Sequence, residues 1–199
     1  MCAKEAEGKP QMKFAIALAA ASFAVAAPAF AAQTIAVGPF SAVEASDGAH
    51  VIIRHGDRQQ VTMIDGSLEF SRFDVRDGTL HLVTCQGWRC PHHYKFKVEV
   101  VMPQINAIEA SDGAYIETQG SFPGQRDLAV KASDGGNIDA RAIAAANVNA
   151  KASDGGNLRI QPRQTLKAHA DDGGNIEYWG HPTITSLVSE DGGNVSGED

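Results

Sequence analysis

The stretch KASDGGNIDA (131–140) returns as KASDGGNLRI (151–160), HADDGGNIEY (169–178) and VSEDGGNVSG (188–197), and a shorter relative, ASDGA, begins at Ala45 and at Ala110. Aligned on their shared Asp, the six copies centre on Asp47, Asp112, Asp134, Asp154, Asp172 and Asp191, with later spacings of 22, 20, 18 and 19 residues. Gly always follows the Asp, and Gly or Ala comes next. Asp-Gly between extended segments supplies positive φ at low cost, so the chain bends at every copy.

Four residues after the Asp the side chain is always aliphatic: Val51, Ile116, Ile138, Leu158, Ile176 and Val195. Two residues before it stand Ala45, Ala110, Ala132, Ala152, Ala170 and Ser189, and four before it Val43, Ile108, Val130, Ala150, Ala168 and Leu187. This alternation on both sides of a turn describes two short strands, each with one face inward, and small residues nearest the bend. Ala-rich segments such as ARAIAAANVNAKA favour helix, yet β-branched residues in period two and Gly pairs every twenty or so residues oppose one. The expected fold is all-β: a right-handed parallel β-helix, or solenoid, with about 18–22 residues per coil.

Coils that stack place like residues over like. Asn137, Asn157, Asn175 and Asn194 would then form an amide ladder along the axis, and the six Asp side chains a ladder beside it. At ~5 Å two carboxylates repel by about 0.8 kcal/mol in water and about 3 kcal/mol at an effective dielectric of 20. Three devices could offset this: capping of each turn by its own Asp, donation from Ser46, Ser111, Ser133 and Ser153, or a cation between coils. Calcium at Asp134, Asp154 and Asp172 is the sharp form of the last, against which DGGN carries one acid per turn and lacks the full nonapeptide pattern of calcium coils. The expectation is no cofactor, with calcium as the alternative.

Asp47 and Asp112 lie 65 residues apart, so residues 48–111 contain an insertion. It reads as strands over 60–64, 71–75, 79–84 and 95–102, with Asp77-Gly78 as a hairpin-like turn joining the middle two. Such strands suit the cover of an exposed N-terminal end. Cys85 and Cys90 flank QGWR at a tip, and in an exported chain the plain reading is a disulfide stapling a hairpin loop, worth roughly 2 kcal/mol. The rival reading takes CQGWRCPHH, with His81 nearby, as a zinc or copper site, but the spacing is not a standard zinc pattern. Trp88, Arg89 and Tyr115 are candidate ligand contacts; each could equally pack against the body of the protein.

Met12-Lys13 is followed by FAIALAAASFAVAAPAFA and an Ala29-Phe30-Ala31 cleavage pattern, so residues 1–31 read as a secretory signal peptide, with an upstream or mis-assigned start before Met12. The mature chain, 32–199, then forms a single domain without a transmembrane segment. The leader removes three lysines and two glutamates, leaving 14 basic and 22 acidic side chains and a net charge of about −8. A body this acidic has no footprint for nucleic acid.

The phrases FSAVEASDGAHVII, VTMIDGSL, FDVRDGTLHL and INAIEASDGAYIE, followed by the repeated turns, resemble the bacterial family of putative auto-transporter adhesins, head GIN domain, from about Phe40 to Val195. The resemblance implies a β-helix at the cell surface or in the periplasm, with adhesion as its role and no catalytic residues to transfer. The CQGWRCPHH tip and the lack of a translocating barrel depart from it. A non-enzymatic module is therefore expected, exported to the periplasm, cell surface or medium. It would present its Asp-Gly-Gly-Asn edge to a glycan, an envelope component or a surface protein, and could form a homodimer through the C-terminal end. The alternative is a carbohydrate-active enzyme, which needs a pair of carboxylates flanking one bond that identical stacked Asp residues do not single out. Lys131, Lys151, Arg141, Arg159 and Lys167 are scattered at strand positions expected to face solvent.

Overall fold

The structure, a computed structural model, describes residues 32–85, 90–91 and 93–198. The leader expected at 1–31, together with Trp88, Arg89 and His92, lies outside them.

Among the described residues fifteen strands form. They are β1 (Gln33–Ile35), β2 (Ala42–Ala45), β3 (His50–His55), β4 (Gln60–Asp65), β5 (Ser71–Arg76), β6 (Thr79–Thr84), β7 (Lys97–Met102) and β8 (Ala107–Ala110). There follow β9 (Tyr115–Gln119), β10 (Gln125–Ala132), β11 (Asn137–Ala152), β12 (Asn157–Ala170), β13 (Asn175–Trp179), β14 (Thr183–Ser189) and β15 (Asn194–Glu198). All belong to one mixed sheet, ordered β1-β4-β7-β3-β9-β11-β10-β8-β2-β6-β5, with β12 paired to β11, β13 and β14, and β15 to β13.

The expected right-handed parallel β-helix is therefore corrected. β1 pairs antiparallel with β4, β4 with β7, and β5 with β6, so parallel and antiparallel ladders share a single sheet that curls into a nearly closed, barrel-like form. Where coils of 18–22 residues required separate strands and a return loop, the chain runs straight through as β11, 16 residues long, and β12, 14 residues long. The physical reason is that turn spacing reports where a chain bends and is silent about what it pairs with. Ile138 and Ala140, then Ile143 and Ala145, then Val148 and Ala150 all face inward, the alternation slipping by one residue between each pair, so the strand bends where a loop was expected. One half of β11 pairs with β9 and the other with β10, so both walls share it. The register shifts between Asp139 and Ala144 and again between Ala145 and Asn147, opposite a stretch of β12 that contains Pro162, and the sheet bends at this irregularity.

Inside, residues line up strand by strand. Val51, Ile116, Ile138, Leu158 and Ile176 are in register and buried. So are Val43, Ile108, Val130, Ala150 and Ala168 on the facing wall. Each large aliphatic so placed contributes roughly 1.5–3 kcal/mol of transfer free energy. Alanines 45, 110, 132, 152 and 170, fully buried beside the turns, let the walls converge there. Asp77, at φ 50°, and Gly78 turn the chain between β5 and β6.

Candidate functional site

The six turns are built alike. Each shared Asp adopts positive φ: Asp47 55°, Asp112 51°, Asp134 50°, Asp154 50°, Asp172 45° and Asp191 48°. Each turn is closed by a backbone bond three residues long, as where Gly136 N–H donates to Ser133 O at 2.7 Å and Gly156 N–H to Ser153 O at 2.8 Å. Adjacent turns are tied by one bond apiece: Gly48 N–H donates to Asp112 O, Gly113 to Asp134, Gly135 to Asp154, Gly155 to Asp172 and Gly173 to Asp191, all at 3.0–3.1 Å. The turns thus form a continuous row, with the six Asp residues exposed along it.

The side chains of that row behave differently from the expected ladders. Ser46 Oγ donates to Asp47 Oδ2 at 3.0 Å, but among the described residues the shared carboxylates Asp112, Asp134, Asp154, Asp172 and Asp191 accept no hydrogen bond. Water screening, rather than capping, limits their repulsion to about 1 kcal/mol per neighbouring pair. Two of the four amides serve their own turns, Asn137 Nδ2 donating to Gly135 O at 2.7 Å and Asn157 Nδ2 to Gly155 O at 3.0 Å, while Asn175 Nδ2 donates to Glu177 Oε1 at 3.4 Å. Only Asn194 Nδ2 bonds along the row, to Asn175 Oδ1 at 2.8 Å.

Beside the row lies a trench of about 180 Å³ crossing β9, β11, β12 and β13. Tyr115, Asn137, Asn157 and Asn175, in register, form one bank, and Asp139, Arg159 and Glu177 the other, above Ile138 and Leu158. Arg141 clamps Asp139, its Nε donating to Oδ1 at 2.8 Å, and its guanidinium lies 4.9 Å from the centre of the Trp179 ring. Arg159 Nε donates to Glu177 Oε2 at 3.0 Å. Burial alone would push the Asp139 pKa up, but hydrogen bonds from Arg141 and the charges of Arg141 and Arg159 outweigh it and hold the carboxyl below its usual value. Arg141 is raised, chiefly by its side-chain bond to Asp139. Burial, then the charges of Glu117 and Asp139, raise Tyr115, whose ring meets His50 edge-on at 5.2 Å.

Arg141 and Arg159 are scattered along the sequence, and the folded strands bring each against a carboxylate, Asp139 and Glu177. The linear signal is that five residues after the turn Asp stand Glu117, Asp139, Arg159 and Glu177, a charged column of three carboxylates and one guanidinium once the strands align. The remaining basic residues do face solvent, and two are paired, Lys131 with Glu109 and Lys151 with Asp171. Lys167 lines a separate shallow hollow with Asp127 and Asn147. Cys85 and Cys90 form a disulfide, Cα atoms 5.4 Å apart, so their thiols are not metal ligands, and His81 pairs instead with Glu44 at 3.0 Å. Among the described residues no three His, Cys, Asp or Glu side chains gather as a metal site. A larger cavity of about 680 Å³, walled by Phe70, Phe73 and Val83, opens beside the disulfide. Its Asp74 is paired with Arg76.

The family model for putative auto-transporter adhesin, head GIN domain, matches residues 39–127 and 124–182. The chain belongs to this family. Among solved structures, a putative adhesin from Bacteroides fragilis is similar over 84% of this chain and 96% of its own, with a TM-score of 0.55 and 16% identity, a likeness of fold. Putative adhesins from Parabacteroides merdae (17% identity, TM-score 0.41, 84% of this chain and 95% of that one) and Parabacteroides distasonis (15%, 0.43, 84% and 96%) also match. No curated protein matches this GIN-domain chain in sequence.

Proposed function

We propose that this GIN-domain protein is a non-enzymatic, adhesin-like binding module of the cell envelope or surface, and that the exposed Asp-Gly-Gly-Asn row is presented to its partner. Membership of an adhesin family supports an envelope or surface location, and no helix among the described residues is long and apolar enough to cross a membrane. The observation that carries the reading is the row itself. Six rigid turns, tied one to the next by backbone bonds, hold exposed carboxylates at one-strand intervals. Such a repeated polar edge suits a partner that is itself repetitive: a glycan, an envelope component or an array of surface protein.

The test is adsorption of the mature protein to isolated bacterial envelopes, compared with a variant carrying Asp134→Ala, Asp154→Ala and Asp172→Ala. The wild type should sediment with envelopes and the triple variant should not; a wild type that stays in solution removes the adhesive role. Cation-free turns belong to the same reading, because backbone bonds already close each one. Tm after calcium loading should therefore equal Tm after EDTA.

A further inference from the structure

We infer that the trench crossing β9, β11, β12 and β13 binds a linear, uncharged polysaccharide, laid across the strands with its hydroxyls bridging the two banks. This inference rests on the binding-module reading and names a ligand and a face for it, separate from the turn row.

Shape comes first. The bank from Tyr115 to Asn175 crosses four neighbouring strands, a run of roughly 14 Å at ~4.8 Å per strand, and the opposite bank stands two residues further along each strand, roughly 7 Å away. A volume of about 180 Å³ is less than a small-molecule pocket needs, so the trench grips an extended chain along one side and does not enclose a compact ligand.

Chemistry narrows the class. Asn137 and Asn157 each spend one amide hydrogen on their own turn, which leaves the second hydrogen and the carbonyl oxygen unengaged by protein, a donor and an acceptor on successive strands. Hydroxyl groups accept and donate in the same alternation. On the other bank the charges are already matched within the protein, Arg141 with Asp139 and Arg159 with Glu177, so an ionic ligand would have to break existing pairs. The paired carboxylates remain strong, fixed acceptors for neutral hydroxyls. Tyr115 is 39% exposed at one end of the trench, and its ring, held edge-on by His50, offers a surface for sugar C–H groups. A peptide strand is disfavoured, because β9, β11, β12 and β13 each have partners on both sides and offer no open edge here.

The experiment measures binding of the mature protein to cellohexaose, chitohexaose and maltohexaose, with polygalacturonate as the charged comparison. It uses wild type, Tyr115→Ala with Asn157→Ala, and the triple Asp variant of the turn row. At least one neutral hexasaccharide should bind more tightly than its trisaccharide. The Tyr115/Asn157 variant should lose about tenfold or more in affinity while its circular dichroism spectrum keeps the wild-type form. No binding to any neutral hexasaccharide overturns the inference, as does tighter binding of polygalacturonate. Envelope adsorption that vanishes in the triple Asp variant, together with failure of every neutral hexasaccharide to bind, overturns the trench and leaves the module reading standing. Hexasaccharide binding without envelope adsorption supports the trench and removes the adhesive role.

Discussion

The carbonyl oxygen of Ala132 lies 2.4 Å from where a Cβ on Gly156 would stand, so this glycine is required by contact, whereas its neighbour Gly155, at φ +73° with open space around it, is required by conformation. The two glycines of one turn serve different physical ends. Gly156→Ala should cost about 3 kcal/mol, at the upper end for overpacking, because the clash is with backbone that cannot rotate away. Gly155→Ala should cost about 1–2 kcal/mol, the strain of a left-handed residue. Urea unfolding of both variants checks this, and equal losses would contradict the assignment.

The interior should reveal its depth through leucine. Leu166 is fully buried, and Leu187, on the outermost strand of its wall, is 48% exposed. Leu166→Ala should lose about 2–5 kcal/mol, and Leu187→Ala no more than about 1 kcal/mol. Thermal unfolding of the two variants side by side measures the difference.

Removing the staple should have a modest effect. Cys85→Ser combined with Cys90→Ser opens a very short loop, for which chain entropy gives about 2 kcal/mol at most. Urea denaturation of the double variant should show the midpoint lowered with the slope unchanged, and a larger loss would mean that the tip braces the sheet.

Acid should weaken one ion pair in a predictable direction. The Asp139 pKa lies below the unfolded carboxylate value of about 3.9, so its contribution to stability is complete above that value and fades as pH falls through the folded pKa. Arg141→Met removes the clamp but leaves the burial, so the Asp139 pKa should rise and the acid unfolding limb should move to higher pH. Carbon-detected NMR titration of the Asp139 carboxyl reads the shift directly, and an unmoved titration would show that Arg141 does not set it.

Much of the local structure is legible in the sequence, because it follows from single residues. Asp-Gly at positive φ marks each bend, and the aliphatic at the fourth place after it points inward. The global arrangement is less legible. The alternation of 137–152 slips by one residue after Ala140 and again after Ala145, and two strands with a loop or one strand that bends would both show such slips while burying Ile138, Ile143 and Val148. Nor does period two say that β4 will meet β7 antiparallel while β3 meets it parallel. The turn row could be read because its members recur in order. The trench needed the strands aligned before Asp139, Arg159 and Glu177 became a bank, and the Arg141–Trp179 contact, which spans separate strands, has no linear signature.

Four strands, β1, β5, β14 and β15, are paired on one side only, and two of these edges are opposites in character. β5 closes one margin with Arg72, Asp74 and Arg76, charges that discourage further pairing, whereas β14, TITSLVS, is uncharged, lacks proline and leaves Ile184 and Leu187 open to solvent. Two copies meeting about a twofold axis along β14 would each hide that strand against the other, so association at that face stops at a pair and does not run on into a fibre.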